Sequence, residues 1–337
     1  MIDTTTLIIF TIVIIAIYVI KSLPKTIKMS EEDLRDIADK VVIITGANAG
    51  LGKEIAKKFA ALNAHVILAC RTERKAIEAV EEIKKESGNQ KIEYMLLDLL
   101  SFDSIVSFAK RFKERSLPCH ILMNNAGIMW LWEDKVNQPP MTRIGAEEYN
   151  TQFQANYLGH HLLTLSMLDV LMTSQCNIFN VSSSVHTLSS INIDNLTKNL
   201  SATFATYCQS KGCQIVSAYD LQRRIDAAGH LTNKATISSI HPGIFASEIV
   251  ALPGPLKSLY HLIFKSASYC AKFIVQVAID KRSNAKGGLY FDHGRATKSA
   301  GQTYDSAFGQ QLYTRSLQLL DTHLKQFKNP LTLDGSW

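Results

Sequence analysis

Residues 40–52 read KVVIITGANAGLG, and the reading of this stretch decides the fold. KVVIIT (40–45) is a short run of β-branched residues, the pattern of a strand buried on both faces. TGANAGLG (45–52) follows at once and places glycines at 46, 50 and 52, where the backbone can turn sharply and approach a ligand. Behind it KEIAKKFAALN (53–63) has the apolar spacing of a helix. A glycine triplet alone is a weak signal, but here it sits where a strand turns into a helix. The unpaired amides of that helix N-terminus can cradle a pyrophosphate, so Thr45, Gly46, Asn48, Gly50, Leu51 and Gly52 are candidate phosphate-binding residues.

Outward from this unit the pattern repeats. HVILA (65–69), IEYMLLD (92–98), ILMNN (121–125), NIFNVSS (177–183) and ATISSIH (235–241) read as further strands, residues 73–86 as a charged amphipathic helix, with helical patterns in between. Regular alternation of helices with strands apolar on both faces predicts an α/β fold: a Rossmann-type doubly wound parallel sheet, one domain over 40–337. There is no internal repeat and no low-complexity tract. EEDLRDIADK (31–40) reads as linker and entry helix, with the linker assigned to 29–39. Two stretches depart from the alternation, MWLWEDKVNQPPMTRIG (129–145) and SEIVALPGPLKSLYHLIFK (247–265). Both follow strand ends and are apolar or aromatic, so they are either walls of a substrate pocket or ordinary surface connections.

TTTLIIFTIVIIAIYVI (4–20) carries no charge and is just long enough to span a bilayer core. Asp3 stands where a signal peptide would be basic and no cleavage site follows, so residues 1–28 read as an uncleaved transmembrane anchor. Lys21, Lys25 and Lys28 follow the apolar run, which places the body in the cytosol, with the endoplasmic reticulum or a lipid droplet as the expected membrane. In that compartment the sequons at Asn180, Asn195 and Asn199 would stay unglycosylated. Six cysteines, at 70, 119, 176, 208, 213 and 270, show no CxxC spacing and fit reduced packing thiols. The net charge of +6 is scattered rather than gathered into a stripe, which argues against nucleic acid as a partner. His160 and His161 belong to no metal-ligand pattern and read as packing or solvent-facing, so no metal is expected.

The end of the second strand reads ILACRTERK. An acid there would bond a ribose 2′-hydroxyl, whereas Arg71 and Thr72 suit a 2′-phosphate, so NADP(H) is expected in preference to NAD(H). Further on, YCQSK (207–211) sets Tyr207 and Lys211 on one helix face, where the ammonium would favour the phenolate and lower the phenol pKa. Taken alone the pair also fits an ordinary solvated helix surface.

TGANAGLG, NNAG (124–127), the serines of NVSSS and YCQSK stand in one chain order, and together they resemble the short-chain dehydrogenase/reductase family over about residues 40–310. FQANYLGHHLLT (153–164) and GGLYFDHGRATKSAGQTYD (287–305) are similar to its membrane-anchored branch, which holds retinol dehydrogenases, the WW-domain oxidoreductase and the X-linked dehydrogenase/reductase. The resemblance implies that Tyr207 is the proton donor, that Lys211 holds the nicotinamide ribose, and that Ser183 polarises the substrate oxygen. It implies that Asn156 anchors a water-linked proton relay to the lysine. Asp98 and Leu99 match positions at the adenine, and Asn125 and Ala126 line the adenosine ribose side. Beyond His241-Pro-Gly, Phe245 would hold the carboxamide, and Ser247 stands where a threonine is usual. Residues 184–206 form an insertion, and Gln138-Pro139-Pro140 an extra turn. The implied function is interconversion of a lipophilic alcohol, of retinoid, polyprenoid or steroid class, with its aldehyde or ketone. A nicotinamide-binding membrane adaptor without turnover is the alternative, and a homodimer is compatible with either.

Overall fold

The computed structural model describes residues 31–129, 142–144, 147–193, 203–228, 234–243 and 266–332. The anchor at 1–28, the Gln138-Pro139-Pro140 turn, residues 194–202 of the insertion, Phe245, Ser247 and the 247–265 stretch lie outside the described residues. No helix among those described is long and apolar enough to cross a membrane, and 4–20 is not among them.

A short entry helix, α1 (Glu31–Asp36), leads into β1 (Val41–Thr45), all of whose residues are buried. The strand's two faces serve two separate cores, because side chains alternate along a strand. Val42 and Ile44 pack into a cluster with Ile55 and Phe59 of α2 (Gly50–Ala61), while Val41 and Ile43 join a second cluster with Phe108 and Phe112 of α4 (Phe102–Glu114). Between those helices the chain forms β2 (His65–Cys70), α3 (Glu73–Ser87) and β3 (Ile92–Leu96). It then returns to the other side of β1 as β4 (Ile121–Asn124), so the strand order reverses between β1 and β4. In an open parallel sheet that crevice, beyond the carboxyl ends of the strands, is where a ligand fits.

A small separate hairpin, β5 (Thr142–Ile144) and β6 (Glu147–Tyr149), precedes Asn150, which caps the short α5 (Thr151–Phe153). A π-helical turn (Gln154–Leu158) follows, then α6 (Gly159–Ser166), α7 (Leu168–Thr173) and β7 (Asn177–Val181). The long α8 (Phe204–Ala227) carries the tyrosine and lysine of YCQSK and lies across β8 (Thr236–His241). Helices α9 (Ala267–Ile279) and α10 (Lys281–Asn284) lead to β9 (Tyr290–Asp292) and β10 (Arg295–Thr297), and α11 (Ser306–Leu324) closes the described chain. The eight-stranded sheet runs β10-β9-β8-β7-β4-β1-β2-β3, parallel throughout except for the β9–β10 pair.

Candidate active site

The β1–α2 turn is built by close approach. Gly46 has φ +66°, and a side chain on it would also meet the Ala126 backbone at 3.0 Å; a Cβ on Gly52 would lie 2.5 Å from both the Gly46 carbonyl oxygen and Asn125 Nδ2. Thr45 ties this turn to the end of β4: its Oγ1 accepts from the amides of Asn125 and Ala126 at 2.9 Å each, and its carbonyl accepts from Asn125 Nδ2 at 2.9 Å. Helix α2 then starts with no side-chain cap on Ala49, which leaves its first-turn amides to an external acceptor.

From this turn a cavity of about 660 Å³ opens along the carboxyl ends of β1, β2, β4 and β7. It is lined by Thr45, Gly46, Asn48, Gly50, Leu51 and Gly52, by Arg71 and Thr72, by Asp98 and Leu99, by Asn125 and Ala126, and by Ser183, Tyr207 and Lys211. Lys75, unremarked in the sequence, lines it as well. Thr72 heads α3 without bonding its backbone, and Glu73 accepts from the Tyr94 hydroxyl at 2.9 Å, so Arg71 and Lys75 share the cavity rim with a hydroxyl. The Asp98 carboxylate accepts from the Leu100 amide at 3.0 Å.

At the other end lie the reactive groups. The serines after β7 are sorted by their bonds: Ser182 Oγ is tied to the Lys211 carbonyl at 2.8 Å, whereas Ser183 lines the cavity with Tyr207. Ser183 is held from behind by His186, a residue of the 184–206 insertion that the sequence left without a role. His186 Nδ1 donates to the Ser183 carbonyl at 2.7 Å and Nε2 accepts from the Ala300 amide at 3.0 Å. Burial keeps this imidazole neutral by lowering its pKa, which fits one donor and one acceptor nitrogen. Gln302 fastens the same insertion by donating to the Ile191 carbonyl at 3.0 Å.

Tyr207 and Lys211 do share a face, with Nζ 5.6 Å from the ring centroid. The expected lowering of the phenol pKa is reversed. Burial pushes Tyr207 well above its ordinary value, with the Ser183 hydroxyl pulling weakly the other way. Burial also brings Lys211 down to about 7, so the cation meant to acidify the phenol is itself only partly charged at neutral pH. Its Nζ donates to the Val181 carbonyl at 2.8 Å and to Gln214 Oε1 at 3.1 Å.

Asn156 does not line the cavity; it is fully buried in the π-helical turn. Its Oδ1 accepts from the Ile128 amide at 2.8 Å, and its Nδ2 donates to the Ile128 carbonyl and Ser210 Oγ, both at 3.0 Å. Its backbone carbonyl accepts from Gln214 Nε2 at 2.8 Å and from His160 Nδ1 at 3.0 Å. His160 Nε2 in turn meets Thr45 Oγ1 at 2.8 Å. His161 packs as well, stacked on Tyr157 with centroids 5.5 Å apart. All six cysteines are buried free thiols.

Beside Ser183, His241 is buried with both ring nitrogens unpartnered. His241, Asp292 and His293 each offer a ligand atom within 4.8 Å of the others. Within this group His293 Nδ1 and Asp292 are hydrogen-bonded to each other.

Residues 40–252 match the family model described as short chain dehydrogenase. The chain belongs to the short chain dehydrogenase family. Within the family it is 34% identical over 292 residues to human polyprenol dehydrogenase, covering 83% of this chain and 85% of that one. Human retinol dehydrogenase 13 is 32% identical, over 84% of this chain and 85% of the relative. The human WW domain-containing oxidoreductase is 33% identical, over 86% of this chain and 70% of the relative. Among solved structures, an uncharacterized protein from Mycobacterium paratuberculosis superposes with a TM-score of 0.65 at 24% identity, covering 88% of this chain and 98% of that one. A short chain dehydrogenase from Escherichia coli CFT073 complexed with NADPH gives 0.57 at 21% identity, over 79% of this chain and 100% of that one. As a short chain dehydrogenase the chain is an NAD(P)-dependent oxidoreductase, and its parallel sheet is the family fold.

Proposed function

We propose that the chain is a membrane-anchored, NADP(H)-dependent oxidoreductase that interconverts a lipophilic alcohol with its aldehyde or ketone. The observation that carries this reading is a single cavity with a glycine-built phosphate cradle at one end and the Ser183 and Tyr207 hydroxyls beside Lys211 at the other. The cradle fits a nicotinamide dinucleotide: a side chain on Gly46 or Gly52 would clash with neighbouring backbone, and the uncapped α2 N-terminus offers amides to a pyrophosphate. Arg71, Thr72 and Lys75 would receive a 2′-phosphate, and Lys211 the nicotinamide ribose. By their position after His241-Pro242-Gly243, Phe245 is assigned to the carboxamide and Ser247 to cofactor binding.

When bound, that cofactor gives or takes the hydride at the substrate carbon. Everything else falls to the chain. Ser183 Oγ donates to the substrate oxygen and fixes it beside the Tyr207 phenol, which hands over its proton as the oxygen gains charge. In the reverse direction the phenolate takes the alcohol proton. At neutral pH Tyr207 is protonated, as a donor must be, and the proton-loaded form of Lys211 favours the phenolate that remains after transfer. An adaptor that merely binds nicotinamide would have no use for a serine and a tyrosine lining one cavity beside a buried lysine.

Relatives named polyprenol dehydrogenase and retinol dehydrogenase support an apolar alcohol as substrate, and Ile128, Met129, Val185 and Phe204 supply apolar cavity wall. An anchor at 1–28 would keep the site near the bilayer into which such alcohols partition. The test is a panel of retinoid, polyprenoid and steroid carbonyls with NADPH and with NADH, followed at the nicotinamide absorbance. Wild type should turn over at least one lipophilic class and prefer NADPH. Tyr207→Phe should lose about 10²–10⁴-fold in turnover while binding NADPH nearly as before. Full activity in that variant would sink the mechanism.

A further inference from the structure

Resting on the reading of Lys211 just given, we infer that Gln214 is a positioning residue for it. The Gln214 side chain bridges Lys211 Nζ and the Asn156 carbonyl. A lysine ammonium donates three hydrogen bonds and accepts none. Two of them are assigned, to the Val181 carbonyl on β7 and to Gln214 Oε1 on α8, so Nζ is triangulated between sheet and helix, and the third N–H remains for the cavity it lines.

The other end of the Gln214 amide donates to the Asn156 carbonyl at 2.8 Å. Which end is which is forced, since the ammonium can only donate and the carbonyl can only accept. The Asn156 carbonyl also receives His160 Nδ1 at 3.0 Å. Gln214 is itself buried, and its own carbonyl accepts from Asn180 Nδ2 at 3.0 Å and from Ser217 and Ser239 hydroxyls at 3.2 Å each. The ammonium is thus held by a buried amide, and its acceptor is one of the two groups that stabilise its charge in a buried site.

The titratable groups around this bridge are Lys211 itself, Tyr207 on the same helix, His160 from α6 and His241 from β8, and burial lowers the pKa of both histidines. Removing the amide should leave Lys211 less charged and less well placed, so the phenolate is less favoured. In full-length enzyme, Gln214→Met should move the limb of kcat/KM against pH for alcohol oxidation upward by about one pH unit, equivalent to a loss of about tenfold at a pH on that limb. It should also weaken NADPH binding, read by the fluorescence of the bound nucleotide, about fivefold. In a Lys211→Met background the same change should alter NADPH affinity less than about twofold, because residues acting through one contact are not additive. Equal effects in both backgrounds, or an unmoved pH limb, would overturn the inference. Gln214→Leu, which likewise removes the acceptor for Nζ but packs as a different apolar side chain, serves if the first variant does not fold; its limb must also move upward. If Lys211→Met alone left turnover and NADPH binding intact, the failure would lie with the proposed function instead.

Discussion

Lys211 is 4% exposed, and burying an ammonium is costly even with two carbonyl-type acceptors. Its pKa of about 7 in the folded chain lies below the ordinary 10.5. Between those values the unfolded chain binds a proton that the folded chain does not, so stability rises with pH across that window and the full penalty applies below about pH 7. Lys211→Met should therefore stabilise the fold at pH 6 by about 1–4 kcal/mol, the range seen when buried charges give way to apolar residues. The gain should shrink as pH approaches 10.5, while turnover is lost at every pH. Denaturant unfolding of both proteins at pH 6 and pH 10 checks this, and a variant less stable at both would contradict it. Such a residue is a cost to the fold kept for chemistry, which is why i, i+4 spacing in YCQSK showed the partners but not the pKa values. Spacing places Tyr207 and Lys211 on one face, and only the packing above them decides that burial outweighs their mutual attraction.

Among elements, one hydroxyl ties the end of β1 both to the end of β4 and to α6. Thr45 Oγ1 accepts from the Asn125 and Ala126 amides and contacts neutral His160 Nε2. Because His160 Nδ1 must donate to the Asn156 carbonyl, its Nε2 is an acceptor, and Thr45 gives its proton there rather than to the longer 3.4 Å contact with the Met123 carbonyl. Thr45→Val keeps the shape and strands two buried amides and an imidazole nitrogen. We expect a loss of about 2–4 kcal/mol, from roughly 1–3 per unsatisfied group partly relieved by relaxation, seen as a lower denaturation midpoint, together with weaker NADPH binding. An unchanged midpoint would mean that the network does not bear on stability. The strands of this join were legible because parallel strands buried on both faces are continuous apolar runs: the reading of 40–45, 65–69 and 121–125 falls within a residue or so of β1, β2 and β4. Helix α2 starts at Gly50 rather than Lys53, since glycine has poor helix propensity and conceals the first turn. The hairpin β5–β6 and strands β9 and β10, three residues each, are too short to show a period. His160, His186 and Gln214 were illegible as functional residues for a different reason. Each looks like an ordinary polar residue in a helical stretch, and its meaning comes from partners 115, 114 and 58 positions away in the chain.

For the molecule as a whole, the described body carries its own two cores on either side of one sheet, and none of its helices could span a bilayer. Membrane attachment, as proposed, is assigned to the uncharged run 4–20. A central leucine, isoleucine, phenylalanine or valine favours insertion by about 0.3–0.6 kcal/mol each, and this run is built mostly of such residues. With lysines at 21, 25 and 28 behind it, the body is expected on the cytosolic side. Full-length chain should stay with membranes through carbonate extraction, and a chain starting at residue 29 should appear in the supernatant with NADPH binding intact, since among the described residues none that lines the cavity precedes Thr45. Sequons at Asn195 and Asn199 should remain unmodified in cells, and glycosylation at either would reverse the orientation. Retention of the shortened chain on membranes would transfer the anchoring role to the apolar 247–265 stretch, which follows the His241-Pro242-Gly243 edge of the cavity. That outcome would put the membrane against the mouth of the site itself rather than at the end of a tether.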